Sequence, residues 1–123
     1  MKYSQEHWKP IKEYQGHTFT GLYEVSDWGR VRNRETKKEV AQYSDGRGQG
    51  YMKIKLFDTD GVRTQIRIHR LVAYHFIRKP KAGQNEVNHR DGNVKNNSWT
   101  NLEWCTRAEN VADYKSRKVK VAV

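Results

Sequence analysis

The chain has 123 residues, with 24 Lys and Arg against 14 Asp and Glu, a formal net charge of +10. That length holds one domain or two very small ones, and a sequence pI near 9.8 calls for an anionic partner, nucleic acid first. A single cysteine, Cys105, excludes an internal disulfide framework and a zinc site built on several thiolates, and no apolar run reaches the roughly 18–20 residues of a membrane span.

The N-terminal MKYSQEHWKP lacks the apolar segment of a secretory signal. The expectation is a cytoplasmic protein with no membrane partner. In GLYEVSDWGRVRN, Tyr23 and Val25 alternate with polar neighbours, and Ser26-Asp27-Trp28-Gly29 reads as a turn. Extended structure resumes at Val31. Arg30, Arg32 and Arg34 then recur at period two and share one strand face, a candidate phosphate-contacting stripe. SDGRGQG, residues 44–50, is polar and Gly-rich and marks the best internal boundary.

YMKIKLF (51–57) and VRTQIRIH (62–69) each alternate, and Asp58-Thr59-Asp60-Gly61 lies between them. The pattern is a β-hairpin. One face is apolar. The other carries Lys53, Lys55, Arg63 and Arg67 with no anion among them, a second surface for phosphate. Residues 51–80 carry a net charge of +5 and residues 107–123 a net +3, while 81–106 are neutral and rich in Asn, His and Asp. Leu71, Val72, Ala73, Phe76 and Ile77 predict a helix of two turns ended by Lys79-Pro80. His69 and His75 on it read as core or strand-end residues.

From 81 to 101 periodicity disappears, which predicts either a compact loop held by its own side-chain hydrogen bonds or a flexible one. Leu102, Trp104 and Cys105 form a short apolar patch. Thr106-Arg107-Ala108-Glu109 has capping-box form and predicts a helix over 107–116. The following SRKVKVAV is basic and β-prone, the start of a further strand. His89 follows Asn88 after a β-prone Glu86-Val87, and a histidine at neutral pH can take a proton from water. Asn110 falls in the first turn of the capped helix, where an amide oxygen suits a hard cation. Asn101 lies in the loop between them.

These residues carry a resemblance. VNHRDGNVKNNSWTNLEWCTRAEN (87–110) resembles the HNH endonuclease motif in its phage and intron-encoded homing form, and HRLVAYHFI belongs to the same form. WKPIKEY and GLYEVSDWGRVRN resemble the small DNA-binding module called NUMOD4. The resemblance implies an α+β chain in three parts. A β-rich DNA-binding module spans 1–50, a hairpin, helix and ββα-metal (His-Me finger) nuclease core span 51–116, and a basic tail, a candidate truncated end, spans 117–123. It further implies cleavage or nicking of double-stranded DNA with one divalent cation, Mg²⁺ or Mn²⁺. His89 would be the general base, Asn101 the residue that pins the loop, and Asn88 and Asn110 the metal ligands. Many members carry Asp or His where this chain has Asn88. The rival reading is therefore a catalytically decayed protein that only binds DNA.

Overall fold

The computed structural model describes residues 5–44, 46 and 50–122, with side chains described as far as Ser116. Of the Gly-rich stretch 44–50, Asp45, Arg47, Gly48 and Gln49 lie outside the described residues, as does Val123.

The N-terminal part is a small antiparallel sheet. Strands β1 (Trp8–Pro10), β4 (Tyr23–Ser26) and β5 (Val31–Asn33) pair in the order β1-β4-β5. A tight two-stranded turn, β2 (Glu13–Tyr14) and β3 (His17–Thr18), is inserted between β1 and β4. The turn after β4 forms where expected. Ser26 is fully buried, and its Oγ accepts the backbone N–H of Trp28 and of Arg30.

The predicted hairpin forms, with the apolar face turned inward. Strands β6 (Lys53–Phe57) and β7 (Arg63–Arg67) pair Lys53 with Arg67, Lys55 with Gln65 and Phe57 with Arg63. Ile54, Leu56 and Ile66 turn inward and are buried. Asp58 closes the turn. Its Oδ1 accepts the N–H groups of Asp60 and Val62, and its Oδ2 sits 2.8 Å from His17 Nδ1 on β3. The expected strand start at Tyr51 is two residues too early, because Tyr51 leaves the ladder to stack on His69.

Helix α1 (Ile68–Phe76) buries Ile68, His69, Leu71, Val72 and Ala73. Lys9 of β1 donates to the carbonyl of His75 at 2.7 Å, satisfying an acceptor in the last turn and tying the N-terminal sheet to the helix. Beyond it, β8 (Glu86–His89) and β9 (Leu102–Cys105) pair antiparallel, with a 3₁₀ turn at Trp99–Asn101. Helix α2 (Arg107–Ala122) follows. It starts on the predicted capping box: Glu109 N–H donates to Thr106 Oγ1 at 3.1 Å, and Thr106 N–H donates to Glu109 Oε1 at 2.9 Å. The tail is not a strand. The helix runs on through Ala122, because no Gly or Pro interrupts 111–122 and no partner strand is there to reward extended structure.

Among the described residues, one hydrophobic cluster joins the N-terminal sheet, the hairpin, α1 and the β8–β9 pair. Ile11, Phe19, Val25 and Val31 from the first sheet join Ile54, Leu56 and Ile66 from the hairpin, Leu71 and Val72 from α1, and Val87 and Leu102 from β8 and β9. Among the described residues, no helix is long and apolar enough to cross a membrane.

The arginine stripe on β5 takes part in this packing. Arg32 is paired in register with Glu24 and bonded to its carboxylate, and its guanidinium lies 3.6 Å from the Trp8 ring centroid. Glu24 is only 7% exposed and also faces Arg34 and Lys37. Glu24→Gln leaves these cations without their counter-ion. The expected loss is about 1–3 kcal/mol of unfolding free energy, read by urea denaturation. A stability equal to the wild type would show that solvent already screens the cluster.

Candidate active site

The loop between β8 and β9 has no apolar periodicity, so its shape rests on side-chain hydrogen bonds. Asn101 is their centre. Its Oδ1 accepts Asp91 N–H at 3.0 Å, and its Nδ2 donates to Asp91 Oδ1 and to the Asn96 carbonyl, both at 2.9 Å. Its own carbonyl accepts Arg90 N–H at 2.7 Å. Asp91 adds an Asx turn to Asn93 N–H and holds Asn96 Nδ2. These hydrogen bonds, led by the one from Asn96, keep its carboxyl below the ordinary carboxylate range. Asp91 is thus a structural staple of the loop.

His89 ends β8 and is 4% exposed. Its Nε2 lies 2.7 Å from Asn97 Oδ1. An amide oxygen can only accept, so Nε2 carries the proton and Nδ1 is the ring's acceptor. His89 also belongs to a stack of three rings: Tyr51 and His69 are 4.4 Å apart, and His69 and His89 are 5.0 Å apart. Burial lowers the His89 pKa, while the Asn97 hydrogen bond and the Asp91 charge oppose the shift. The net effect favours a neutral imidazole, the form a proton acceptor needs.

The asparagines flank a cleft of about 290 Å³ between β8 and α2, lined by Tyr51, Glu86, Asn88, His89, Asn110 and Asp113 among others. Asn88 Nδ2 donates to Glu103 Oε1 at 3.2 Å, and Asn110 Nδ2 donates to Glu86 Oε1 at 2.8 Å. Both amide nitrogens are engaged by carboxylates, which leaves amide oxygens as the donors suited to a hard cation. Among the described residues, no group of three His, Cys, Asp or Glu side chains could hold a metal by itself. The donor set fits a hard divalent ion that keeps water or substrate oxygens in its shell, and does not fit a soft one.

The structure thus brings Asn88, His89 and Asn110 to one cleft and sets Asn101 behind it as the loop's brace. Three residues escape sequence reasoning. Asn97 is one of five asparagines from Asn88 to Asn101, and nothing local marks it as the one that reaches His89. Tyr51 and His69 look like strand and core residues until the fold stacks them. Glu86 carries a usable signal: it stands two positions before Asn88, so strand periodicity puts both on one face.

The cations divide. Lys55, Arg63 and Arg67 on the hairpin are exposed, and Arg67 stands 5.7 Å from the ring centroid of Tyr51, at the edge of the cleft. Lys53 on the same face is nearly buried. Just before β5, Arg30 is bonded to Glu6 and Glu39, and Arg32 on β5 is bonded to Glu24. All three guanidiniums of the stripe already have a carboxylate partner within the protein, Arg34 the most distant at 3.7 Å from Glu24.

Similarity to known proteins follows the same two parts. Residues 6–57 match the NUMOD4 motif and residues 66–112 match an HNH endonuclease family model. The chain is 39% identical over 110 residues to DNA endonuclease I-HmuI of Bacillus phage SP01, covering 89% of this chain and 58% of that protein. It is 33% identical over 121 residues to the uncharacterized HNH endonuclease L245 of Acanthamoeba polyphaga mimivirus, covering 93% of this chain and 36% of the relative. The solved structure of the HNH homing endonuclease I-HmuI, a study of DNA binding and cleavage, superposes with a TM-score of 0.73 at 38% identity, over 91% of this chain and 59% of that one. The chain therefore spans less than two thirds of each of these relatives.

His69 makes a pH prediction. Burial pushes its pKa down to about 3, with the His89, Arg70 and Arg67 charges acting in the same direction. Below an ordinary imidazole pKa near 6.5 the unfolded chain takes up a proton that the folded chain refuses. Stability is therefore full above pH 6.5 and falls as the pH drops towards 3, by at most about 1.4 kcal/mol per pH unit for this group. Urea midpoints at pH 7.5 and 5 should differ, and His69→Phe, which keeps a ring in the stack, should narrow the gap. An unchanged gap would assign the acid sensitivity to other groups.

Proposed function

The chain belongs to the HNH endonuclease family, and from that premise we propose that it hydrolyses phosphodiester bonds in double-stranded DNA, nicking or cutting it in the manner of a phage or homing enzyme. The observation that carries the reading is His89: a buried imidazole at the rim of an oxygen-lined cleft, with Nε2 tied to Asn97 and Nδ1 left as acceptor. In this reading Nδ1 takes the proton of a water that attacks phosphorus in line. Asn88 and Asn110 would hold one divalent cation, Mg²⁺ or Mn²⁺, through their amide oxygens. When bound, it would offset charge on the phosphate and on the departing 3′ oxygen. Glu86 and Glu103 orient the two amides and supply the negative charge that the asparagines lack. That support favours the catalytic reading over the decayed, binding-only alternative.

The DNA would approach over the hairpin. Lys55, Arg63 and Arg67 form an exposed cationic face that leads by way of Tyr51 to the cleft, with Lys53 nearly buried beside them. Just after β5, Arg34 is half exposed and holds Glu24 only at 3.7 Å, so it is the arginine proposed to reach phosphate. For Arg30 and Arg32, phosphate contact would have to compete with Glu6, Glu39 and Glu24.

His89→Ala should lower the plasmid-nicking rate by about 10²–10⁴-fold while leaving DNA affinity nearly unchanged, because a general base acts in the transition state. Excess EDTA should stop the wild-type enzyme, and either Mg²⁺ or Mn²⁺ should restore it. Cleavage by His89→Ala at the wild-type rate would remove the histidine from this role, and undiminished activity in EDTA would remove the metal.

Affinity should fall steeply with salt. Replacing Lys55 and Arg63 together by Ala should reduce the log–log slope by about 0.9 for each phosphate that the variant no longer neutralises. If the double variant keeps the wild-type slope, the hairpin face is not the DNA surface.

A further inference from the structure

The N-terminal sheet touches the loop of the proposed active site through a small contact. The turn after β4, residues 27–29, lies against the loop that follows His89. The Asp27 carbonyl accepts Trp99 N–H at 2.8 Å. Gly29 has φ +91°, and a Cβ added to it would fall 2.8 Å from Asn97 Cβ and 3.0 Å from the Asn97 carbonyl oxygen. Only glycine allows both that backbone and that approach.

Neither side of this contact can easily yield. The Asp27 carboxylate accepts His7 N–H at 3.0 Å, and Gln42 Nε2 donates to the Gly29 carbonyl at 2.7 Å. Buried Ser26 holds the turn from beneath. On the other side Asn97 is 5% exposed, and its Oδ1 meets His89 Nε2. The chain of contacts from the turn to the imidazole is therefore Gly29 backbone, Asn97 side chain, His89 ring.

We propose that this turn sets the imidazole: by seating Gly29 against Asn97, the N-terminal module fixes the Asn97 amide and, through it, the tautomer and orientation of His89. Asn97 is then a positioning residue, and the module is a structural part of the active site as well as a DNA-binding element. The inference rests on the reading of His89 as the base, but its structural half can be tested without cleavage.

The test uses the full chain and four variants. Gly29→Ala pushes a methyl into Asn97. Asn97→Ala removes the acceptor, and Asn97→Asp keeps one. Gly16→Ala is the control, since Gly16 has φ +80° with nothing within 4 Å of an added Cβ. It bears the same backbone strain without touching the loop. Histidine side-chain ¹⁵N spectra of the metal-free proteins above pH 7.5 report the tautomer, and single-turnover cleavage at saturating DNA reports the rate.

The wild type should show His89 as one Nε2–H tautomer, and Asn97→Asp and Gly16→Ala should keep it. Gly29→Ala and Asn97→Ala should show a mixture. Their cleavage rates should fall by about 10-fold or more with DNA affinity unchanged, the signature of a misplaced reacting group. Should Gly29→Ala fail to fold, Asn97→Ala decides. A mixed or Nδ1–H tautomer in the wild type, or a folded Asn97→Ala with the wild-type tautomer and rate, would overturn the proposal. A wild type that cleaves no DNA would instead overturn His89 as base, leaving the tautomer result to decide the positioning.

Discussion

The carboxamide of Asn101 closes the loop on which the rest of the site depends. Residues 90–101 have no apolar stripe to bury, so hydrophobic packing cannot choose among their conformations. A single buried side chain does so, by bonding Asp91 through two atoms and the Asn96 carbonyl through a third contact. Each bond is worth only about 1 kcal/mol net. Together they bring Asn97 back to His89 and Trp99 onto the Asp27 carbonyl. The loop is polar in composition and ordered in structure because its polar groups satisfy one another.

Charge is arranged on the same principle. In a strongly basic protein, carboxylates decide which cations are anchored and which stay exposed. Carboxylates do the anchoring here: Glu24 beside Arg32 and Arg34, and Glu6 beside Arg30. Lys55, Arg63 and Arg67 remain exposed on the hairpin. A count of positive charge therefore overstates the surface that can face phosphate, and only the pairing pattern separates the two sets. In the cleft, neutral amides face inward and the glutamates behind them carry the negative charge, an arrangement suited to a hard ion that keeps water or other oxygens around it.

Much of this was legible in the chain. Alternation over 51–69 with an Asp-Gly turn specifies the hairpin and its inward face, because a strand's side chains can only alternate. Thr106 and Glu109 specify the start of α2, because the bonds they make are local. The order of Asn88, His89, Asn101 and Asn110 carries the family, and with it the expectation of where the chemistry sits. The end of α2 was not legible. Lys-Val alternation suits a strand only where another strand waits to pair, and at 116–122 the helix already under way meets no breaker.

What the sequence by itself determined are the features whose causes lie within a few residues of each other: strand faces, turns, a helix cap, a motif in fixed order. What only the tertiary structure decided are the pairings between residues far apart in the chain. Arg32 looks like a DNA contact until Trp8 and Glu24 enclose it, and Gly29 looks like an ordinary turn glycine until Asn97 occupies the space a side chain would need. Asn97 is one amide among several until the loop closes on His89, and His69 is a core histidine until Tyr51 and His89 stack on it. The reason is physical: a local pattern fixes which face a side chain takes, but the partner on that face is chosen by how the elements pack.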